Sequence, residues 1–145
     1  MRGGDADEID EFARALSPSK ERALETEAQG TAFAATVGAA WSGDATPRVY
    51  PVAVGLAARK HDCPERETIS LYLQAFVSNL VSACIRLVPL GQTEGQRIIA
   101  ALHPAIASVT EDAMVATLDD VGGCALLSDI ASMRHEAQAV RLFRS

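Results

Sequence analysis

The sequence predicts an all-α fold, a single-domain helical bundle built around one long apolar helix, and three observations carry that reading. Apolar residues recur at three- and four-residue steps in one segment after another. Alternating β-branched runs and hairpin signals are missing, alanine is abundant, and aromatic residues make up only 5% of the chain. The stretch after Asp62 is apolar for about 24 residues, or about 36 Å of helix at 1.5 Å per residue.

The elements follow in order. Ile9, Phe12, Ala13 and Leu16 give the first helix, Asp7 to Leu16, one apolar face, and its early acids suit the helix dipole. Ser17-Pro18-Ser19 punctuates, and Ser19 opens a longer helix to about Trp41 through Leu24, Ala28, Phe33 and Val37. Gly30 and Gly38 each cost that helix about 1 kcal/mol relative to alanine, so they mark close contacts. Ser42 to Pro47 is a loop, and Tyr50-Pro51 starts a short helix, Val52 to Lys60, with a thin face of small residues.

The long helix starts near Cys63, with Asp62 and Glu65 spaced as a capping box and Pro64 in the first turn. Ile69, Tyr72, Leu73, Phe76, Leu80, Ala83, Cys84 and Leu87 form one apolar face; Val77, Val81, Ile85 and Val88 form a second. Such a helix must be covered on both. A membrane span is the sharper reading, but Gln74, Ser78, Asn79 and Arg86 interrupt the run, and a cation at mid-depth costs about 2.5 to 3.5 kcal/mol. A core helix is therefore expected, with Cys84 as a core thiol.

Pro89 disfavours helix at Val88, so Val88-Pro89-Leu90-Gly91 is a sharp corner. Ile98, Ile99, Leu102 and Ile106 continue as a new helix, which Pro104 should kink or end. Gly91 and Gly95 suit close helix packing, with Gln92, Thr93 and Gln96 satisfying backbone groups at the helix start. No Gly-Lys-Ser/Thr follows them and no strand precedes, so they are not a phosphate loop. Thr110-Glu111-Asp112 reads as a cap for a helix through Met114 and Leu118, Asp119 to Gly123 as a turn, and Leu126, Leu127, Ile130 and Met133 as the start of a last helix.

Charge and chemistry narrow the functions. The net charge is −6, and residues 1 to 30 hold 8 acidic and 4 basic side chains, whereas the end from Arg134 carries three arginines and one glutamate. Such a chain is a poor general nucleic-acid binder, although its basic end could meet an acidic partner. Three cysteines without CxxC, and a start that runs into acid rather than an apolar segment, fit a reduced, cytoplasmic protein. His61, His103 and His135 lack partners at helical ligand spacing, and no nucleophile–base set can be assembled, so no metal ligand and no catalytic residue is assigned. The end of the chain stands apart: Leu142 and Phe143 lie between Arg141 and Arg144. Either this is a last helix folded on its own core, or a partner-binding peptide with Arg and Phe anchors.

Residues 87–97, LVPLGQTEGQR, and 129–145, DIASMRHEAQAVRLFRS, together resemble the UreF family of urease accessory proteins. Residues 14–21, the Gln29-Gly30 pair, residues 50–55 and residues 72–76 add to the likeness, which runs from about Ile9 onward. Ala137 and Ala139 depart from it, since a hydroxyl and an aromatic residue are common there. The chain resembles the C-terminal two-thirds of such a protein, 1–145 forming one helical domain without the family's N-terminal helices. The resemblance implies a non-catalytic, usually dimeric adaptor that joins UreD/UreH and the GTPase UreG, inserting nickel into the urease apoenzyme. Nickel would be cargo rather than a cofactor. It implies partner binding through Met133, Arg134, His135, Glu136, Gln138, Arg141, Leu142, Phe143 and Arg144. Pro89, Gly91, Gln92, Thr93, Gly95, Gln96 and Arg97 would form a structural corner. A second reading, from another class, is a small helical ligand-binding or enzymatic bundle with a pocket near Arg86, Gln92 and His103.

Overall fold

A computed structural model describes residues 4–42 and 45–138. The described chain is all-α: α1 (Ala6–Ala15), α2 (Lys20–Trp41), α3 (Tyr50–Lys60), α4 (Glu65–Leu87), α5 (Gln92–Val115) and α6 (Leu126–Glu136), with a 3-10 turn at Leu118–Asp120. The helices fall into two compact units, α1–α3 with α6 in one and α4–α5 in the other.

In the first unit, α2 and α3 pack along each other at Gly30. A Cβ there would lie 1.9 Å from the Arg48 carbonyl oxygen and 2.7 Å from the Tyr50 nitrogen, so only glycine lets the backbone ahead of α3 come this close. The start of α3 lacks a side-chain cap of its own. Its donors are instead met from other helices: the Val49 N–H donates to Asp10 Oδ1 at 2.7 Å, and the Tyr50 N–H to Thr26 Oγ1 at 3.2 Å. Val49 is fully enclosed. Asp10 is buried as well, and Arg14 one turn on holds its other oxygen at 2.9 Å while also pairing with Glu27. Asp10 and Glu27 together raise the Arg14 pKa, the Asp10 hydrogen bond most, so the cation stays charged.

The second unit is a two-helix hairpin. Val81, Gly95, Ile106 and Thr110 are its buried residues, and Arg66 near the start of α4 pairs with Glu111 near the end of α5. Gly95 is the tight point: a Cβ would come within 2.4 Å of Ile85 Cδ1 and 3.2 Å of Val81 Cγ1.

Several expectations from the sequence are corrected. Asp62 and Glu65 form no capping box. Asp62 takes a left-handed conformation at φ 53, and Pro64 is the N-cap, its carbonyl accepting from the Thr68 N–H and hydroxyl. Pro104 does not end its helix, because α5 continues to Val115 and buries Ile106 and Thr110 beyond it. Thr110 therefore lies inside α5, its hydroxyl donating to the Ile106 carbonyl at 2.8 Å rather than capping a new helix. The expected cover over both faces of α4 is not found among the described residues, and Cys84 is exposed.

Candidate functional site

The predicted partner-binding residues begin on α6, whose C-terminal end is tied to the beginning of α2. Ser19, the N-cap of α2, accepts from the Arg22 N–H at 3.2 Å and shares a 2.7 Å hydrogen bond with the Ser132 hydroxyl. Glu136 accepts from the Lys20 N–H at 2.7 Å, placing a carboxylate where the helix dipole favours negative charge. His135 Nδ1 lies 2.5 Å from Glu21 Oε2. Contacts between side chains more than a hundred positions apart thus close the first unit.

The same helix presents another face outward. Leu126, Leu127, Ile130 and Met133 are exposed at steps of one, three and three residues, Leu127 by 84%. Met133 and Arg134 lie on the surface, as does Gln138, whereas His135 and Glu136 are half-buried in the α2 contacts. Arg141, Leu142, Phe143 and Arg144 lie outside the described residues.

The corner between α4 and α5 is built as its proline dictates. Val88 is extended at φ −122, ψ 148 ahead of Pro89, and the Leu90 N–H reaches back to the Val88 carbonyl at 2.6 Å. Gly91 is the N-cap of α5, and a Cβ added there would meet nothing within 4 Å, so the close packing expected of both glycines belongs to Gly95 alone. Gln92, Thr93 and Gln96 are exposed, and no side chain caps α5, contrary to the expected role of these polar residues. Arg97 is exposed beside Glu94 at 3.1 Å, a surface pair worth little. Arg86, Gln92 and His103, the basis of the second reading, are each exposed.

Another open surface runs along α4. Ile85 and Val81 meet Gly95 of α5, which accounts for one of its two apolar faces. The other stays open: Phe76 is 44% exposed, Leu80 47% and Leu87 62%. At 100° per residue, Ile69, Phe76, Leu80, Ala83 and Leu87 share one stripe, while Asn79, Ser82 and Arg86 lie on the polar side. By length and composition alone, α4 and α5 are both long and apolar enough to cross a membrane. No group of three or more His, Cys, Asp or Glu side chains among the described residues is placed to hold a metal ion.

This geometry defines an all-α protein whose prominent surfaces are apolar helix faces, the kind of surface that marks an interaction site. The chain belongs to the UreF family of urease accessory proteins. The UreF family profile matches residues 2–103. The urease accessory protein UreF of Cereibacter sphaeroides strain KD131 is 52% identical over 145 residues, which are all of this chain and 69% of that relative. The protein of the same name from strain ATCC 17029 is 51% identical over the same coverage. That of Rhodopseudomonas palustris strain HaA2 is 48% identical over 147 residues, 95% of this chain and 62% of its own length.

Proposed function

We propose that this urease accessory protein is a non-catalytic cytoplasmic adaptor, binding the accessory protein UreD/UreH and the GTPase UreG while nickel is delivered to the urease apoenzyme. The observation that carries the reading is the open apolar stripe of Phe76, Leu80 and Leu87 on α4. Exposed leucine and phenylalanine in one stripe cost free energy in water and are stabilised when another surface covers them. A protein surface suits the stripe better than a bilayer, because Gln74, Ser78, Asn79 and Arg86 interrupt the same helix. Met133, Arg134 and the arginine-flanked Leu142-Phe143 pair supply a second contact, toward UreD/UreH. Nickel passes as cargo, and a homodimer is the expected state of the chain.

The test is a pull-down of this chain with its cognate UreD/UreH, followed by UreG, with size-exclusion chromatography to count subunits. A ternary complex is expected. Deleting residues 141–145 should leave helix content nearly unchanged and abolish UreD/UreH binding, and equal binding by the shortened chain would remove the tail from the interface. A folded chain that binds neither protein would overturn the adaptor reading.

A further inference from the structure

The last described helix, α6, is turned inside out. At 100° per residue, Asp129, Ser132, His135 and Glu136 form its half-buried side, and Leu126, Leu127, Ile130 and Met133 lie opposite them, exposed. No residue of this helix is buried. A helix in a folded unit ordinarily turns its apolar stripe to the core. Here the polar side is set against α2, so apolar burial contributes little to keeping α6 in place. The buried apolar residues of the first unit lie elsewhere, at Ala34, Val49, Val52 and Ala53.

The polar side of α6 meets three successive residues at the start of α2. The Ser132 hydroxyl is 2.7 Å from that of Ser19, which caps α2 through the Arg22 N–H. Glu136 accepts from the Lys20 N–H, and His135 Nδ1 is 2.5 Å from Glu21 Oε2. The beginning of a helix leaves four N–H groups open. One of those in α2 is met by its own cap and another by a carboxylate that belongs to α6. These contacts are exposed or half-buried. Water replaces such partners on opening, so they fix the register of α6 without holding it strongly.

We infer that α6 is a latch: it opens from α2 while α1, α2 and α3 stay packed, and its opening uncaps the first turn of α2. Segments with few buried apolar contacts and exposed hydrogen bonds open well below the free energy of global unfolding. When α6 leaves, Glu136 goes with it and the Lys20 N–H loses its acceptor. Ser19 loses the hydroxyl that pairs with its own. The first turn of α2 therefore reports whether α6 is docked. A partner that binds the lifted helix better than the docked one shifts this equilibrium and loosens the start of α2.

The test is native-state amide hydrogen exchange, followed by NMR on the full-length, nitrogen-15-labelled chain. The amides of residues 130–136 should be at least about 100-fold less protected than that of Ala34, which is buried midway along α2. His135→Ala removes the contact with Glu21 and leaves both the Lys20 N–H and Glu136 in place. It should speed exchange of the α6 amides and of the Lys20 amide together, by about 5-fold for one hydrogen bond, with Ala34 unchanged. Ser132→Ala breaks a different contact and should act in the same way. Amides of α6 as slow as Ala34 in the unsubstituted chain would overturn the inference. So would acceleration of Ala34 by the same factor in both variants, which would make α6 part of one cooperative unit. An unchanged Lys20 amide in both would also overturn it, because the start of α2 would then be independent of α6. None of these readouts depends on UreD/UreH or UreG, so the adaptor reading can fail while this one stands.

Discussion

The two units of this chain solve the problem of holding helices together in different ways. The first uses polar contacts between remote segments: Asp10 on the Val49 N–H, which is buried, Thr26 on the Tyr50 N–H, Ser132 on Ser19 and Glu136 on the Lys20 N–H. The hairpin of α4 and α5 buries Val81, Gly95, Ile106 and Thr110 and leaves leucines, valines and a phenylalanine in contact with solvent. The first region is fixed by paired polar groups even though its α6 also presents an apolar face; the hairpin has few such pairs and an open apolar stripe. Hydrogen bonds with fixed partners cannot be exchanged cheaply, whereas an apolar stripe accepts any well-shaped apolar surface.

The same substitution made at two glycines breaks the comparison most sharply. Gly30→Ala puts a methyl group 1.9 Å from a backbone oxygen, which cannot turn aside. Overpacking of this kind costs about 1–3 kcal/mol, and the upper end is expected because a backbone must move. Gly95→Ala meets only the far end of Ile85 at its closest point, 2.4 Å. A rotamer change relieves that contact, and alanine gains about 1 kcal/mol of helix propensity, so a net change within about 1 kcal/mol is expected. Urea unfolding followed by circular dichroism measures both. A larger loss at Gly95 than at Gly30 would reverse the picture of a tight first unit and a yielding hairpin.

Asp10 gives the next largest effect. Asp10→Ala leaves the Val49 N–H without its acceptor and Arg14 without one of its two carboxylate partners. A hydrogen bond to a charged group contributes about 1.5–3 kcal/mol, and a loss of about 2 kcal/mol is expected. Asp10→Asn should lose less, because its amide oxygen can still accept from Val49. Equal losses would assign the stabilisation to the Arg14 pair instead.

On the hairpin, Leu80→Glu with Leu87→Glu should change the stability of the isolated chain by less than about 1 kcal/mol, since both side chains are already exposed, Leu80 by about half and Leu87 by more. The same pair should prevent the assembly with partners expected under the proposed function, read by size-exclusion chromatography. Unchanged assembly would mean that the open stripe on α4 is not an interface.

The sequence made the all-α class and most helix limits legible, because 3.6-residue periodicity is a local property. Gly30 was legible as a close contact for the same reason: a helix bears the cost of a central glycine only where something presses against it. What faced Gly30 was not, since the Arg48–Tyr50 backbone approaches through tertiary packing. Asp10 is one of 8 acidic residues among the first 30, and nothing local marks it as the buried one. Pro104 does not end the helix, because its local penalty of about 3 kcal/mol is outweighed by Ile106 and Thr110 packing beyond it. The two faces of α4 were read correctly as apolar, but periodicity cannot tell whether the cover comes from the same chain. Within the predicted tail, His135 and Glu136 turn out to contact α2, a pairing across more than a hundred residues that no local pattern encodes.

The smallest effect belongs to the turn that closes the hairpin unit. Asp120 accepts from the Thr117 N–H at 2.9 Å and from the Thr117 hydroxyl at 2.8 Å. These bonds, the backbone one first, favour the ionised carboxyl and lower its pKa from the ordinary 3.8. A carboxyl depressed in the folded state adds stability above its unfolded pKa and loses it as pH falls through the folded value. At neutral pH the contribution is therefore complete, and acid removes it only below about pH 4. Carbon-13 NMR of the Asp120 carboxyl should show a midpoint below the ordinary carboxylate value. In Thr117→Val, which removes the hydroxyl and leaves the N–H, the midpoint should rise only part of the way back. A full return would assign the shift to the hydroxyl, and no change would leave the backbone N–H alone holding this turn.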